Sequence, residues 1–339
     1  MLFRSGLLAP FFPERFGGAA ADPISAARLC ASREGLARIS TEASTALAIQ
    51  IGGSYVAVLH GTDEARDEWL PGVVRGEFVA AVALTEPQVG SDLAAMAMPA
   101  TRTPGGWLLS GSKTWIMKAP EADLYTVFAR TSGSSGAHGI TAFLVPGASK
   151  GLTGSPIETL WPDRVGRLHF DAVFVPDHCV IGEIGEGFGI GMSIFELFRP
   201  SVGAHVVGFA KAALDATITY AKERQAFGRS IGGFQAVSHQ LAEMAVRLEA
   251  ARLLVYHAAE TFDSVQDVRI KRSTSSMAKL FATEAGQYIL DTALQIHGAA
   301  GLERGHLIEH LYREARAARI YEGTSEIQRE IIARVLLAD

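Results

Sequence analysis

The order of helical and extended segments along the chain is the feature that most limits its possible folds. Residues 22–78 are rich in Ala, Leu, Glu and Arg and have few β-branched runs, which predicts helices. Residues 79–185 instead carry short apolar runs bounded by Gly, Ser and Pro, which predicts an antiparallel barrel or sandwich. From residue 187 onward amphipathic stripes return, and one of them comprises Val237, Leu241, Met244, Leu248, Ala251 and Val255. We therefore expect a mainly α-helical protein with N-terminal helices, a central β domain and a C-terminal helical bundle.

Glycine and proline pairs predict where the first helices end or break. The pair Gly52-Gly53 interrupts Ala46–Leu59, a segment that otherwise has the composition of a buried helix. The pair Pro71-Gly72 is expected to end the helical segment Asp63–Leu70, because proline lacks the backbone N–H that a helix interior needs. The sequence therefore predicts short, interrupted helices before the β region.

Three apolar runs are the strand candidates of the central region. Tyr125–Ala129 and Ile140–Val145 are short and are separated by a turn-forming segment at Ser132–Gly136. The longer run Leu168–Pro176 predicts either a strand pair or one bent strand.

Composition and charge exclude several classes of protein. The 339 residues contain 31 Lys plus Arg and 36 Asp plus Glu, a net charge of −5, with no basic tract, which argues against a nucleic-acid-binding function. No segment approaches the roughly 18–20 consecutive apolar residues that a membrane span needs. The first residues lack a basic region followed by an adequate apolar one, so no signal peptide is expected and the predicted location is cytoplasmic.

Cysteine and histidine usage predicts no metal site. Cys30 and Cys179 are too few for a disulfide framework or a multi-cysteine site, and they are expected to be structural thiols. His297 has no partner at ligand spacing.

Two segments of the central region have the composition of ligand-contacting loops. Leu84–Asp92 combines Pro, Gly and short polar side chains, which suits a ligand loop or a capped turn at a sheet edge. Lys113–Met117 places Trp115 beside a polar turn, where the indole stacks on a planar ligand or fills the core. Turn chemistry alone leaves both alternatives open.

Two further segments lie in the C-terminal region. In Tyr220–Gln235 a helix ends, the chain crosses a glycine-containing loop, and a new helix is expected to start at Gln235. Arg224 and Arg229 of this loop suit bidentate phosphate contacts or complement a helix dipole. In Gln295–Gly301, small residues after a long helix allow a close backbone or ligand approach, or simply form a C-cap.

The segment Tyr321–Gln328 is the most informative for chemistry. Ser325 and Gln328 have the spacing of a capping box, which predicts that a helix begins here. Glu322 then precedes a helix N-terminus, and Gly323 beside it leaves room for a substrate. A carboxylate against an apolar pocket has a raised pKa and suits proton abstraction, whereas the alternative is a solvated loop glutamate.

Taken in this order, these segments resemble the acyl-CoA dehydrogenase family over about residues 6–337. The resemblance implies N-terminal helices in residues 1–80, a middle β-barrel in 81–185 and a C-terminal four-helix bundle in 186–339. It implies FAD as cofactor, a homotetramer or homodimer, and α,β-dehydrogenation of an acyl-CoA thioester. Electrons would then pass to an electron-transferring flavoprotein, or less often to oxygen.

The resemblance also assigns roles to individual residues. Glu322 matches the catalytic base that removes the α proton, while a hydride leaves the β carbon for flavin N5. Glu196 and Arg199 match the acid and arginine that meet the CoA portion, and Ser91 and Gly323 are the other substrate contacts. The implied FAD contacts are Leu84, Thr85, Gly90, Ser91, Trp115, Ile116, Met117, Arg224, Phe227, Gln235, Gln295, Gly298, Ala299, Thr324, Ser325 and Glu326.

The chain departs from the family pattern at three places. Met117 stands where the family usually has a Ser or Thr that bonds flavin N5, and Ala299 replaces the second glycine of a Gly-Gly pair. The N-terminal helical domain is also expected to be shortened: by comparison with family members, the chain begins near the third helix of the usual domain, with roughly 40 residues fewer.

These departures keep two other functions open. One is a biosynthetic dehydrogenase or oxidase that acts on an acyl group tethered to a carrier protein. The other, of a different class, is a non-catalytic flavin-binding scaffold, against which the retained Glu322 argues.

Overall fold

The structure is a computed structural model that describes residues 6–20, 24–133 and 136–338. Residues 1–5 and 339, at the ends of the predicted domains, lie outside the described residues, as do 21–23 and the predicted turn residues Ser134 and Ser135. The chain divides into two compact units. The first comprises Met1–Ile24, Ala46–Thr159 and Asp163–Phe195, and the second comprises Ser25–Thr45, Leu160–Pro162 and Glu196–Asp339. The three domain boundaries expected from the sequence stay a prediction.

Helices account for most of the described residues. Helices α1 to α8 span, in order, Ala26–Ala37, Thr41–His60, Asp63–Val74, Gly187–Glu223, Gln235–Ser264, Val268–His297, Leu307–Ala318 and Ser325–Leu336. The predicted helical starts at residue 187, at Gln235 and at Ser325 are confirmed.

The first unit contains two four-stranded sheets. Strands β1 to β8 span Ala80–Ala83, Ala100–Thr103, Gly106–Met117, Leu124–Arg130, Ile140–Pro146, Leu152–Ile157, Val165–Pro176 and Val180–Ile181. One sheet has the order β1-β4-β5-β8 and the other β2-β3-β7-β6. Pairing is antiparallel except between β1 and β4, where Ala80 lies opposite Leu124 in a parallel register. The central β region expected from the sequence is therefore confirmed.

The long run Leu168–Pro176 is part of a single strand, β7, rather than a strand pair. Ala172 of this strand has a positive φ of 50°. The pairing of β7 with β3 shifts register between Leu109 and Gly111, so the strand is bent by an irregularity in the ladder. The bent-strand alternative is the correct one.

The predicted helix break at Gly52-Gly53 is wrong, because α2 continues through both residues. A Cβ at Gly53 would lie 2.3 Å from the Ala80 carbonyl carbon, so the absent side chain lets the helix approach strand β1. The predicted helix end at Pro71-Gly72 is also wrong, since α3 runs to Val74 with Pro71 inside it. A Cβ at Gly72 would lie 2.3 Å from the Phe78 ring. Both glycines serve packing rather than chain breaking.

The second unit is a bundle of helices around an apolar core. On α5, Met244, Leu248, Ala251 and Val255 of the predicted stripe are buried. Gly203 of α4 permits close helix contact, because a Cβ there would lie 2.6 Å from Val255. A short antiparallel hairpin, β9 at Gln225–Ala226 and β10 at Arg229–Ser230, connects α4 to α5.

Two further predictions concern the described residues as a whole. Within them, no helix is both long and apolar enough to cross a membrane. Cys30 and Cys179 are free, buried thiols, as expected, and burial raises the pKa of Cys179 to about 12.

Candidate active site

Glu322 lies in the tight turn between α7 and α8, and the turn is built from left-handed backbone. Glu322 has φ +58° and Gly323 has φ +86°. The left-handed conformation costs a non-glycine residue roughly 1–2 kcal/mol, so the surrounding structure must hold Glu322 in place.

The residues that begin α8 differ from the predicted capping box. Thr324, not Ser325, is the N-cap, and its hydroxyl accepts a hydrogen bond of 3.4 Å from the Ile327 N–H. Ser325 instead donates to Glu284 at 2.6 Å. Two cap-type residues, Thr324 and Ser325, are consecutive here, and Thr324, directly after the left-handed Gly323, is the one with the non-helical backbone of an N-cap (φ −59°, ψ 165°). The predicted helix start was right, and the predicted cap was wrong by one residue.

Two buried side chains hold the carbonyl groups of this turn. The Gln328 amide nitrogen donates to the Glu322 carbonyl at 3.1 Å and to the Gly323 carbonyl at 2.8 Å. Lys279, from α6, donates through Nζ to the Gly323 carbonyl at 2.7 Å. Both Gln328 and Lys279 are fully buried. The side chain of Gln328 therefore serves the turn rather than the helix N-cap.

The Glu322 carboxyl group has the electrostatics of a proton acceptor. Its Oε2 is buried and has no hydrogen-bond partner among the described residues. Burial raises the pKa of Glu322 to about 7, although Arg199, Lys279 and Arg33 oppose that shift. A carboxyl group that titrates near neutrality is suited to remove a proton at physiological pH.

The three cations around Glu322 are themselves desolvated. Burial lowers the pKa of Lys279 to about 8 and lowers the pKa of Arg199 and of Arg33. Arg33 donates to the hydroxyls of Ser44 at 3.4 Å and Ser201 at 3.2 Å, which fixes its guanidinium group inside the bundle.

The two predicted CoA contacts of α4 have different surroundings. Glu196 forms an ion pair with Arg272, with Oε1 2.7 Å from Nε. Arg199 is buried, and its Nε lies 3.5 Å from the Glu322 carbonyl. The structure thus places Arg199 beside Glu322, while the substrate role of both residues stays a prediction.

In the first unit, a buried ion pair ties the predicted loop at residues 84–92 to strand β3. Lys113 Nζ lies 2.9 Å from Glu86 Oε1 and also donates to the Leu84 carbonyl at 2.9 Å. The Thr114 N–H donates to the Thr85 carbonyl at 2.9 Å. Further along the loop, Gly90 and Ser91 are exposed. The two segments singled out in the sequence therefore lie together.

A bulge in β3 turns Trp115 outward. The register of β3 with β7 shifts between Lys113 and Ile116, and Trp115 has φ +59°. Its side chain is 55% exposed, whereas Ile116 is buried and Met117 is half-buried. The core-filling alternative for Trp115 is therefore wrong.

The loop between α4 and α5 presents a second exposed aromatic ring. Phe227 (φ +51°) and Gly228 (φ +81°) form the tip of the β9–β10 hairpin. Phe227 is 94% exposed, and Arg224 and Gln235 on either side are exposed too.

The remaining predicted cofactor residues lie at helix ends of the second unit. Gln295 is exposed at the end of α6, and Gly298 and Ala299 directly after it are also exposed. Gly298 adopts φ +60°, and a Cβ placed there would meet nothing within 4 Å outside its chain neighbours. Glu326 is exposed in the first turn of α8, and Ser325 is buried.

Sequence reasoning missed Lys279, Gln328, Arg33 and the pair of Glu86 with Lys113 as parts of the site. One signal was available for Lys279, since it occupies a buried position among Ser275, Ala278 and Ala282 of the α6 stripe. A lysine at a core position of an amphipathic helix indicates a buried charge with a specific partner.

Three family models describing acyl-CoA dehydrogenases match the chain. The N-terminal domain model matches residues 1–77, the middle domain model 81–173 and the C-terminal domain model 185–337. The fold and these matches place the protein among the oxidoreductases. More particularly, the chain belongs to the acyl-CoA dehydrogenase family.

Curated relatives resemble the chain over nearly its whole length. It is 38% identical over 338 residues to an acyl-CoA dehydrogenase of Bacillus subtilis, covering 98% of this chain and 88% of the relative. It is 36% identical to the probable acyl-CoA dehydrogenase FadE25 of Mycobacterium tuberculosis, covering 98% and 85%. It is 37% identical to the caffeyl-CoA reductase-Etf complex subunit CarC of Acetobacterium woodii, covering 96% and 85%.

Solved structures have the same fold. A glutaryl-coenzyme A dehydrogenase in complex with glutaryl-CoA aligns with a TM-score of 0.92 at 33% identity, covering 99% of this chain and 85% of that one. The FAD complex of PigA aligns at 0.92 and 30% identity, covering 98% and 87%. The prolyl acyl carrier protein oxidase AnaB aligns at 0.92 and 31% identity, covering 99% and 89%.

The family is FAD-dependent, and each unit of this chain has surface features that fit the cofactor. Trp115 in the first unit and Phe227 in the second are large aromatic side chains left in solvent, each on left-handed backbone. Exposed rings held in this way suit contact with planar groups, and the neighbouring Arg224 suits a phosphate. The residues present are therefore compatible with FAD.

Proposed function

We propose that this protein catalyses the α,β-dehydrogenation of an acyl-CoA thioester with FAD, and that Glu322 is the base. The observation that carries the proposal is the Glu322 carboxyl group: a buried Oε2 without a partner and a pKa of about 7. These properties are those of a general base that works near neutral pH.

In this proposal Glu322 removes the proton from the α carbon of the thioester. The acid that results is neutral and suits the desolvated site, while Arg199, Lys279 and Arg33 keep enough of the carboxyl group ionised beforehand. The Glu322 backbone N–H is proposed to polarise the thioester carbonyl, which makes the α proton more acidic. Bound FAD supplies the acceptor for the hydride that leaves the β carbon.

The remaining roles carried over from the family are also proposals. FAD would be contacted by the separate residues that the resemblance implies for it, of which Leu84 is the first in the chain and Glu326 the last. The substrate would be contacted by Ser91, Glu196, Arg199 and Gly323. We propose that a homotetramer or homodimer forms and that an electron-transferring flavoprotein is the redox partner. The partner proposal draws support from CarC, a relative whose name places it in an Etf complex.

The test is anaerobic reduction of the enzyme-bound flavin, measured by stopped-flow absorbance. A panel of acyl-CoA thioesters of different chain length is mixed with wild type, Glu322→Gln and Glu330→Gln. Glu330 is the matched control, an exposed acid on the adjoining helix that is paired with Arg334. We expect Glu322→Gln to slow reduction by about 10²–10⁴-fold, the range for loss of a general base, and Glu330→Gln to match wild type.

Two results would contradict this function. If Glu322→Gln reduces its flavin at the wild-type rate, Glu322 is not the base. If no acyl thioester bleaches the wild-type flavin, the protein is a flavin-binding scaffold. Glu196→Gln is expected to weaken substrate binding far more than it slows the chemical step, which the concentration dependence of the same measurement reports.

A carrier-protein substrate is the second candidate. It is favoured by the 31% identity and TM-score of 0.92 to AnaB, which is named a prolyl acyl carrier protein oxidase. Adding acyl-carrier-protein thioesters to the same panel distinguishes the two, because the true tether gives the faster flavin reduction at equal concentration.

A further inference from the structure

The turn that carries Glu322 depends on side chains from distant segments. Two consecutive left-handed residues, Glu322 and Gly323, direct their carbonyl groups toward the interior of the second unit. Gln328 reaches both carbonyls from α8, and Lys279 reaches the Gly323 carbonyl from α6. The position of the carboxyl group is therefore set by these donors more than by the local sequence.

Lys279 is an unusual donor for this task. It is completely buried, yet the hydrogen bond of its ammonium group goes to a neutral carbonyl at 2.7 Å. Enclosing an ammonium group is costly unless charge and hydrogen bonds compensate for lost water. A neutral glutamine or methionine would fill such a position at lower cost, so the retained charge indicates an electrostatic role.

The charged groups that face Glu322 come from three helices. Arg199 belongs to α4, Lys279 to α6 and Arg33 to α1, and each favours the ionised carboxylate. Arg33 is engaged with Ser44 and Ser201, and the Arg199 contact with the turn is long, at 3.5 Å. Lys279 makes a short hydrogen bond of 2.7 Å to the turn itself, at the Gly323 carbonyl.

The acids that face Lys279 are Glu322, Glu284 and Glu326, and Arg199 is the opposing cation. Glu284 is already held by Arg319, at 2.8 Å, and by the Ser325 hydroxyl. Glu326 is exposed to solvent, which screens its charge. Glu322, whose Oε2 is buried, is thus the acid with which Lys279 interacts most strongly.

We propose that Lys279 is a positioning residue for Glu322: its ammonium group clamps the Gly323 carbonyl, which fixes the left-handed turn, and places a positive charge beside the carboxylate. The inference rests on the proposed function of Glu322 as the base. It adds a residue that touches neither substrate nor cofactor in this account and acts only through Glu322.

The test uses the FAD-loaded enzyme with two substitutions. Lys279→Gln keeps a hydrogen-bond donor and removes the charge, while Lys279→Met removes both and fits a buried position. Lys271→Gln is the matched control, because it removes the same charge from the same helix at a site where the ammonium group lies over the Phe262 ring. Circular dichroism and bound-flavin absorbance establish that each variant is folded.

The first readout is the titration of the Glu322 carboxyl group, followed by infrared difference spectroscopy and assigned with Glu322→Gln. Loss of an adjacent positive charge raises the pKa of a carboxyl group, so we expect the titration midpoint to rise from about 7 by about one unit in both variants. Lys271→Gln should titrate as wild type. The second readout is the pH profile of single-turnover flavin reduction by the fastest acyl-CoA of the panel.

At pH 7 a rise of one unit lowers the ionised fraction from about one half to about one tenth, so flavin reduction should slow about fivefold and recover at higher pH. Lys279→Gln retains a hydrogen-bond donor for the turn. At high pH, where Glu322 is ionised in both variants, its flavin reduction should therefore be faster than that of Lys279→Met. An unchanged midpoint in both variants would overturn the proposal.

The two proposals fail in different ways. If wild type reduces its flavin, Glu322→Gln does not, and both Lys279 variants keep the wild-type midpoint, Glu322 is the base and Lys279 has no positioning role. If no acyl thioester reduces the wild-type flavin, the dehydrogenase function is wrong, and the infrared titration still decides whether Lys279 controls Glu322.

Discussion

Replacing Glu86 by glutamine is expected to destabilise the loop at residues 84–92, for which the family resemblance implies flavin contact. Glu86 and Lys113 are 2% and 0% exposed, so neither charge is compensated by water. The Glu86 carboxylate also accepts hydrogen bonds from the N–H groups of Ala97 at 2.9 Å and Met98 at 3.0 Å. One side chain therefore joins three separate segments of the first unit.

The expected magnitude follows from these contacts. Burial lowers the pKa of Lys113 to about 8, and Glu86 is the group that opposes this shift. With glutamine at position 86 this opposition is lost, so Lys113 either stays an uncompensated buried charge or gives up its proton, and one N–H group faces an amide nitrogen. Breaking a buried ion pair from one side costs about 3–5 kcal/mol, which includes about 1–3 kcal/mol for an unsatisfied donor.

The assay is urea unfolding of the FAD-loaded protein, followed by circular dichroism and by release of flavin fluorescence. Glu77→Gln is the matched control, since the side chains of its ion pair with Arg75 are 49% and 58% exposed and the pair should contribute little to stability. The double variant Glu86→Gln, Lys113→Met should be more stable than Glu86→Gln alone, because the isolated ammonium group is gone. A loss below about 1 kcal/mol in Glu86→Gln would refute the reasoning.

Three further predictions concern the turn around Glu322. The pKa of Glu322 rises from 4.5 to about 7 on folding, so the folded state is destabilised as pH rises through that window and the carboxyl group ionises. The free energy of unfolding of Glu322→Gln, measured by urea titration, should therefore exceed that of wild type by up to about 3 kcal/mol at pH 8 and nearly equal it at pH 4. Gly323→Ala and its control Gly305→Ala both replace a glycine with a positive φ, +86° and +88°. Only the Cβ at position 323 would lie 2.7 Å from the Gln328 amide nitrogen, so Gly323→Ala should slow flavin reduction and Gly305→Ala should not. Equal rates in the two variants would contradict the crowding argument. Thr324→Ala removes the cap of α8 and should lower the free energy of unfolding by about 1 kcal/mol, whereas no change would indicate that Thr324 is not the effective cap.

Local periodicity predicted the type and order of the elements. The α5 stripe from Met244 to Val255 is buried as expected, because a 3.6-residue repeat of apolar side chains has a single way to face a core. The helix start at Ser325 was also predictable from local sequence, because the residues that cap a helix lie within four positions of one another.

Features decided by distant segments were not predictable in this way. Gly53 and Gly72 have the local signature of helix breaks, yet what they accommodate is Ala80 and the Phe78 ring. Ala80 lies 27 residues after Gly53, so no short window of sequence contains that contact. Phe78 lies only six residues after Gly72, and it reaches the glycine because the chain turns back once α3 has ended.

The candidate site follows the same division. Glu322 was identified from the residues beside it, including Gly323 and the cap that follows. Lys279 lies 43 residues earlier in the chain and reaches the turn only because α6 passes beneath it. The charges that set the acidity of Glu322 therefore became visible only in the folded structure.

The enclosure of Lys113 and Glu86 also determines how the protein responds to dissolved salt. Mobile ions shorten the reach of charges that face water, over a Debye length of about 8 Å at physiological ionic strength, but they do not penetrate a packed interior. Exposed pairs such as Arg75–Glu77 weaken as salt is added, and the enclosed pair does not. The loop that this pair anchors should accordingly keep its conformation at high salt concentration as well as in dilute buffer.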